Sequence, residues 1–313
     1  MSGLILTLTI NPAIDRNFTT DRLVFEDRSY ILEQSESAGG RGINASRVIH
    51  SFGGRTLAVA TSGGEAGMRF ECHLSVCGFP FELVPIRREI RTNFTITDRQ
   101  GLTVKLNQFG PSLSVDEVEL VKEAVRRNLP KASWLMLCGS IPPRISPDFY
   151  SELIRAAGEQ GVRTLLDTDG EALREGIEAG PSVVAPNQQE AERLLNAALV
   201  TRSSALAAAV RMREMGAEMV VLSLGARGAI GAFGSQLWEA VPPPVEAVCP
   251  IGAGDALAAA FVWALDEGKE VPDALAWAVA AGTASARLPG VQFASLEQTR
   301  EVYERVELRR ISG

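Results

Sequence analysis

The chain has 313 residues, enough for two domains of ordinary size or for one large α/β domain with additions. Hydrophobic residues make up 46% and charged residues 22%, a balance that supplies a full core and excludes a mainly disordered chain. Thirty-one Lys and Arg against 38 Asp and Glu give a net charge of −7, which argues against a nucleic-acid surface; an anionic ligand must be met by a few placed arginines and backbone N–H groups.

Leu4 to Ile10 alternates and predicts a strand. Two β-rich stretches then break the pattern. One spans about Asp15 to Glu33. The other is a hairpin of Arg91–Thr97 and Leu102–Asn107, joined by Asp98-Arg99-Gln100-Gly101. Phe94, Ile96, Leu102, Val104 and Leu106 alternate with polar residues, so these strands want one buried face and one wet face. Ala45 to Phe52 reads as a helix, and Ser114-x-x-Glu117 as a helix cap. From Pro111 onward strands and helices alternate. The predicted strands are Trp134–Cys138, Arg163–Asp167, Ser182–Ala185 and Glu218–Leu224, then a hairpin of Ala229–Phe233 and Gln236–Ala240. The predicted helices run from Ser146 to Ala157, Glu171 to Ala179, Asn187 onward, Ser203 to Met215, Gly254 to Asp266, Pro272 to Arg287 and Leu296 to Val306. Repeated strand–helix units imply a doubly wound, mainly parallel sheet with helices on both faces. The expected organisation is an α/β core of residues 1–11, 36–88 and 109–313 with a small β lid of residues 12–35 and 89–108.

The start of the sequence carries no basic leader, and the longest unbroken apolar run, Ala256–Leu265, is shorter than the ~18–20 residues a membrane helix needs. The expectation is a cytoplasmic protein with no membrane partner. Four cysteines without a CxxC pair read as reduced thiols, and two histidines make a zinc site or a histidine triad a poor starting assumption.

Ile251-Gly252-Ala253-Gly254-Asp255 opens the most apolar helix. Glycines let the backbone turn tightly, and free N–H groups at a positive helix end stabilise an anion. Asp255 in that turn can accept a hydroxyl proton, or it can simply cap the helix. At a positive helix end it is expected to stay ionised, a weak base in the ground state. Ala38-Gly39-Gly40-Arg41-Gly42-Ile43-Asn44 also precedes a helix. Gly40, Gly42 and Ala45 fit a dinucleotide fingerprint with Glu65 as ribose partner, but the fingerprint belongs directly after the first strand. The other reading is a glycine platform for a polyhydroxy ligand, with Asn44 as donor and acceptor. Pro186-Asn187-Gln188-Gln189-Glu190 follows a strand; Asn-x-x-Glu is a capping box or a carboxylate ordering water around a nucleotide's Mg²⁺. Asp15 ends the first strand's loop, where α/β sheets build binding crevices. Arg28 and Arg91, placed in the lid strands, suit bidentate phosphate contact. No P-loop is present: Gly268-Lys269 is followed by Glu270.

In order along the chain, Thr7-Leu-Thr-Ile-Asn-Pro-Ala-Ile-Asp15, Gly39-Gly-Arg-Gly-Ile-Asn44, Arg91-Thr-Asn, Cys138-Gly-Ser-Ile-Pro-Pro143, Pro186-Asn-Gln-Gln-Glu190, Ser223-Leu-Gly225 and Gly252-Ala-Gly-Asp255 resemble the ribokinase (PfkB) carbohydrate-kinase family. The match is closest to its phosphosugar branch of 1-phosphofructokinase, tagatose-6-phosphate kinase and the minor type of 6-phosphofructokinase. The resemblance implies an ATP-dependent kinase for a ketose phosphate, with fructose 1-phosphate slightly preferred over a 6-phosphate acceptor. It implies Asp255 as base and the amides of Gly252, Ala253 and Gly254 as the anion hole. Asn187 and Glu190 would serve Mg²⁺–ATP, Glu190 through water. Ser223, Gly225 and Gly228 would line the nucleotide side, and Asp15, Gly39, Gly40 and Asn44 the sugar. Arg91 and Arg28 would grip the substrate's phosphate, and lids would pair into a homodimer. Three positions depart from the pattern: Ala185 where relatives place Lys, Arg41 where the glycine motif often has Lys, and Cys249-Pro250-Ile251 before the GAGD turn. A non-catalytic sugar-phosphate sensor and a dinucleotide oxidoreductase are the competing classes.

Overall fold

The chain, seen in a computed structural model, is described over residues 3–24 and 26–311. The two outermost residues at each end of the expected core, and Phe25 of the expected lid, lie outside the described residues. The first half contains β1 (Leu4–Thr9), β2 (Ala13–Thr20), β3 (Ile31–Gly39), α1 (Arg41–Ser51), β4 (Arg55–Ser62), α2 (Gly64–Ser75), β5 (Phe81–Pro85), β6 (Arg91–Asp98), β7 (Thr103–Asn107) and α3 (Val115–Asn128). There follow β8 (Ala132–Cys138), α4 (Phe149–Glu159), β9 (Arg163–Asp167), α5 (Gly170–Glu178), β10 (Val183–Val184), α6 (Gln188–Leu195), α7 (Arg202–Glu214) and β11 (Met219–Ser223). The chain closes with β12 (Ala229–Phe233), β13 (Gln236–Val241), α8 (Ala253–Asp266), α9 (Val271–Ala286), α10 (Leu296–Tyr303) and β14 (Glu307–Ile311).

Ten strands form the large sheet in the order β14-β13-β12-β11-β10-β9-β8-β1-β4-β5. The seven from β5 to β11 pair in parallel, and the remaining three add antiparallel at one edge. Alternate strand residues feed two apolar layers. Leu135 and Leu137 of β8 face the layer built with α2 to α7, and Trp134 and Met136 face the layer built with α1, α8 and α9. Both faces are therefore covered, as a parallel sheet requires. α8 is buried from Ala256 through Leu265, as its all-round apolar sequence predicts. Trp263 on α8 fixes that layer, edge-on to Phe52 at 5.1 Å and to Trp277 at 5.3 Å.

A second sheet, in the order β3-β2-β6-β7, stands apart from the first. β2 pairs antiparallel with β3 and in parallel with β6, and β6 pairs antiparallel with β7. The expected β stretch from Asp15 to Glu33 is thus two strands. Irregular backbone at residues 21–24 and 26–30, rich in Asp, Arg and Glu, breaks it, and β3 continues to Gly39, across the expected lid boundary. Arg28 falls in that connecting run, so the expectation that it sits in a lid strand is corrected. Helix α1 begins four residues before the expected Ala45, which places Arg41 and Asn44 in its first turn.

The chain runs from β1 to β4 and β5 on one side, then returns to β8, β9, β10 and β11 on the other. β1 is the point where strand order reverses, and crevices form at the carboxyl ends of strands there. The smaller sheet leaves β1 at that same edge. Among the described residues no helix is long and apolar enough to cross a membrane.

Candidate active site

Asp255 lies in the first turn of α8, whose cap residue Gly252 holds a left-handed φ of 82°. One carboxylate oxygen, Oδ2, accepts a 2.7 Å hydrogen bond from Asn44 Nδ2 in the first turn of α1. Two helix amino ends therefore meet at this carboxyl. The N–H groups of Gly252 and Gly254 have no partner among the described residues, whereas Ala253 N–H donates to Pro250 O at 3.2 Å. The expected three-amide anion hole is thus two free amides plus one engaged within the turn. The Asp255 carboxyl is pushed up to about 7, first by burial and then by the nearby Asp167 charge, with Arg41 and the Asn44 hydrogen bond pulling the other way. The sequence-based expectation of an ordinary ionised Asp is corrected: a partly neutral carboxyl near pH 7 is a stronger base once ionised.

Arg41 gathers three carboxylates from distant elements. Its Nη1 donates to Asp167 Oδ1 at 2.7 Å, and its Nη2 to Glu190 Oε1 at 2.9 Å and Asp169 Oδ2 at 3.4 Å. Asp167 ends β9, Asp169 immediately precedes α5, and Glu190 is in the first turn of α6. The capping box predicted for α6 is present: Asn187 Oδ1 accepts from Glu190 N at 3.0 Å and Glu190 Oε2 accepts from Asn187 N at 2.9 Å. Burial pushes the Glu190 carboxyl up against the counter-pull of Arg41. Asp167 and Glu190 offer only hard carboxylate oxygens, the donor type Mg²⁺ takes. Among the described residues no group of three or more His, Cys, Asp or Glu is disposed to hold a metal alone. The donor set therefore fits a cation that brings further oxygens with it.

On the side of the small sheet, Asp15 in β2 accepts a 2.8 Å hydrogen bond from Asn93 of β6. Burial raises its carboxyl, and Asn93, Arg91 and Arg47 offset this. Gly39 and Gly40 are demanded by the protein itself: a Cβ on Gly39 would lie 2.1 Å from Asp15 Oδ2, and Gly40 has a φ of 130°. Arg91 ties the exits of both sheets together, donating to Asn11 O at 3.0 Å and Gln108 O at 3.2 Å, with its Nε buried and unpartnered. It lines an open cleft of ≈ 640 Å³ with Arg88, Gln108 and Phe109. Arg28 is exposed on its loop, away from strand pairing.

On the other side of Asp255, Ser223 bridges to Asn187 and donates its N–H to Pro186 O at 3.0 Å, joining the ends of β11 and α6. Gly225 opens an exposed turn after β11. Gly228 is buried, and a Cβ there would lie 2.0 Å from Ala240 O, so this glycine is needed for the β12–β13 pairing. Ala185 donates its N–H to Leu166 O and presents no charge to the crevice. Asp167, Asp169 and Asn93 carry no role in the sequence reading. A carboxylate at the carboxyl end of a parallel strand is the signal that could have found Asp167.

The sequence profile of pfkB family carbohydrate kinases matches residues 7–299. The 1-phosphofructokinase of Borreliella burgdorferi is 32% identical over 284 residues, 90% of this chain and 92% of that protein. The tagatose-6-phosphate kinase of Staphylococcus epidermidis is 27% identical over 97% of this chain and 99% of its own length. The structure of Escherichia coli phosphofructokinase-2 in complex with potassium superposes with a TM-score of 0.91 at 30% identity, covering 97% of this chain and 99% of that one. Against this ground the dinucleotide reading of Gly40 and Gly42 falls: the motif follows β3 of the small sheet and not the first strand, and Glu65 is an exposed residue of α2. The chain belongs to the pfkB family of carbohydrate kinases, phosphotransferases whose acceptor is a hydroxyl group.

Proposed function

We propose that the chain transfers the terminal phosphoryl group of ATP to a hydroxyl of a ketose phosphate, with fructose 1-phosphate preferred and fructose 1,6-bisphosphate the product. The observation that carries this reading is the Asp255 carboxyl, held by Asn44 at the amino end of α8 beside two free amides. The acceptor oxygen attacks the terminal phosphorus as its proton passes to Asp255. The bond to the bridging oxygen breaks, and ADP leaves with that electron pair. The amides of Gly252 and Gly254 stabilise charge on the transferred group. Mg²⁺ bound with ATP supplies neutralising charge to the phosphate oxygens. Glu190, through water, and Asn187 are the residues placed to serve it, with Ser223 and Gly225 on the nucleotide side.

Asp15, Gly40 and Asn44 hold the sugar, and Arg91 grips its phosphate with the Nε that has no partner among the described residues. Arg28 joins that grip only when the lid folds over. The small sheet closes over the acceptor and excludes water, which competes as an acceptor. Preference for a 1-phosphate draws on the 32% identical relative. A 6-phosphate acceptor is the second reading, favoured by the tagatose-6-phosphate kinase relative over nearly its full length.

The test is coupled ADP release with Mg²⁺–ATP and a panel of fructose 1-phosphate, fructose 6-phosphate, tagatose 6-phosphate, fructose and ribose. The expected ranking by kcat/KM puts fructose 1-phosphate first. Turnover only with free sugars removes the phosphate roles of Arg91 and Arg28, and binding without any turnover restores the sensor reading. Asp255→Asn is expected to keep substrate binding and lose roughly three or more orders of magnitude in kcat; near-normal turnover would remove Asp255 from the mechanism.

A further inference from the structure

Asp167 and Glu190 are 8% and 5% exposed at their side chains, one at the end of β9 and the other in the first turn of α6. Two buried carboxylates side by side are costly without a cation. Arg41 is that cation. Its planar fork assigns one amino group to Asp167 and the other to Glu190, an arrangement a single ammonium cannot copy. The second Glu190 oxygen is taken by the Asn187 N–H. Three of the four carboxylate oxygens that a divalent ion would use are therefore engaged by the protein before any ligand arrives.

We propose that Arg41 is a positioning residue that makes uptake of the divalent cation conditional on nucleotide. With Arg41 in place, Asp167 and Glu190 are preformed but neutralised, and they hold a bare ion weakly. Nucleotide phosphates bring their own negative charge and oxygens. They give Arg41 a second anionic partner and so release carboxylate capacity to the incoming cation. The site thereby disfavours a state loaded with metal and empty of nucleotide. This inference rests on the kinase reading above.

The test uses Mn²⁺ as the probe and the full-length chain, with free Mn²⁺ counted by electron paramagnetic resonance. Wild type is expected to bind Mn²⁺ weakly alone and at least about tenfold more tightly with ADP. Arg41→Met is expected to bind Mn²⁺ without nucleotide at least about tenfold more tightly than wild type, and adding Asp167→Asn to it to erase that gain. Arg41→Lys keeps the charge and loses the fork, so its affinity for Mn²⁺ alone should rise by about threefold or more. This second variant keeps the idea testable if Arg41→Met does not fold. A folded Arg41 variant whose Mn²⁺ affinity stays within about twofold of wild type overturns the role of Arg41. Failure of ADP to lower free Mn²⁺ in the presence of wild type beyond what ADP chelates alone overturns the nucleotide condition, whereas failure of the kinase reading would show separately as no ADP release in the coupled assay.

Discussion

In the proposed mechanism Asp255 serves chemistry at a cost to stability. A free aspartate titrates near 4, and burial beside Asp167 pushes this one up to about 7. As a base it must be ionised, so kcat/KM should fall as pH drops through about 7. Asn44→Ala removes a hydrogen bond that favours the charged form. Its acid limb should move to higher pH, with a roughly 3- to 10-fold extra loss at pH 6.5; an unmoved limb would detach Asn44 from the proton step. The stability consequence has the opposite sense to that of a salt-bridged Asp. Between about pH 4 and 7 the folded chain keeps a proton that the unfolded chain has lost. This group's contribution is therefore favourable at low pH and is lost as pH rises through 7. Asp255→Asn should accordingly melt about 2 °C or more above wild type at pH 8, with the gap closing toward pH 4. Equal melting curves at pH 8 would mean the carboxyl is not strained by its surroundings.

Among the described residues four helices begin with a reciprocal capping box; two of them, α3 and α6, close it with a glutamate, and only α6 borders the crevice. Ser114 and Glu117 cap α3, with Glu117 also accepting the Arg87 N–H at 2.6 Å. Asn187 and Glu190 cap α6, and there the carboxylate also meets Arg41. Ser114→Ala and Asn187→Ala should each cost about 1 kcal/mol, read from denaturant midpoints. Only Asn187→Ala should also raise the KM for Mg²⁺–ATP, by roughly fivefold or more. Equal KM values in both variants would reduce Asn187 to a cap. The pair also marks how far the sequence could be read. Strands with strong apolar runs, from Trp134 to Leu224, and the apolar α8 announce themselves, because each pattern is local. The segment β4–α2–β5 is harder, since α2 carries two glycines and mixed polarity. β14, Glu-Leu-Arg-Arg-Ile, reads as a charged tail and becomes a strand only by pairing with β13 at the sheet edge. The motifs around Asp255, Asn187 and Glu190 were legible for the same local reason. The Arg41 cluster was not: its partners lie 126 and 149 residues along the chain, and nothing local says that β9 and α6 end at the same place.

At the scale of the whole molecule the unbalanced part is the small sheet. A four-stranded sheet needs one face covered, and the core covers only its root, where β3 reaches Gly39 and Arg47 donates to Ala38 O at 3.0 Å. Further out, apolar side chains are exposed along both edges of the small sheet: Ile31 of β3 is 58% exposed, Leu106 of β7 55% and Leu102, just before β7, 54%. A second copy of the same sheet would match it in shape, strand length and composition, and a two-fold arrangement would cover both at once. The chain should therefore sediment as a dimer at micromolar concentration. The double variant Ile31→Glu and Leu106→Glu should sediment as a monomer, since two charges per copy would face their counterparts in a dry contact. Its kcat/KM for the phosphosugar should fall by roughly tenfold or more, because the lid would lose the support that orders it over the acceptor. Affinity for ATP should stay near that of wild type, because the nucleotide side is built on β11, α6 and α8 of the large sheet. A wild-type chain that sediments as a monomer with full turnover would show that the lid closes without a partner. It would also locate the closing force inside one chain, at the hinge where Arg91 holds the carbonyls of Asn11 and Gln108.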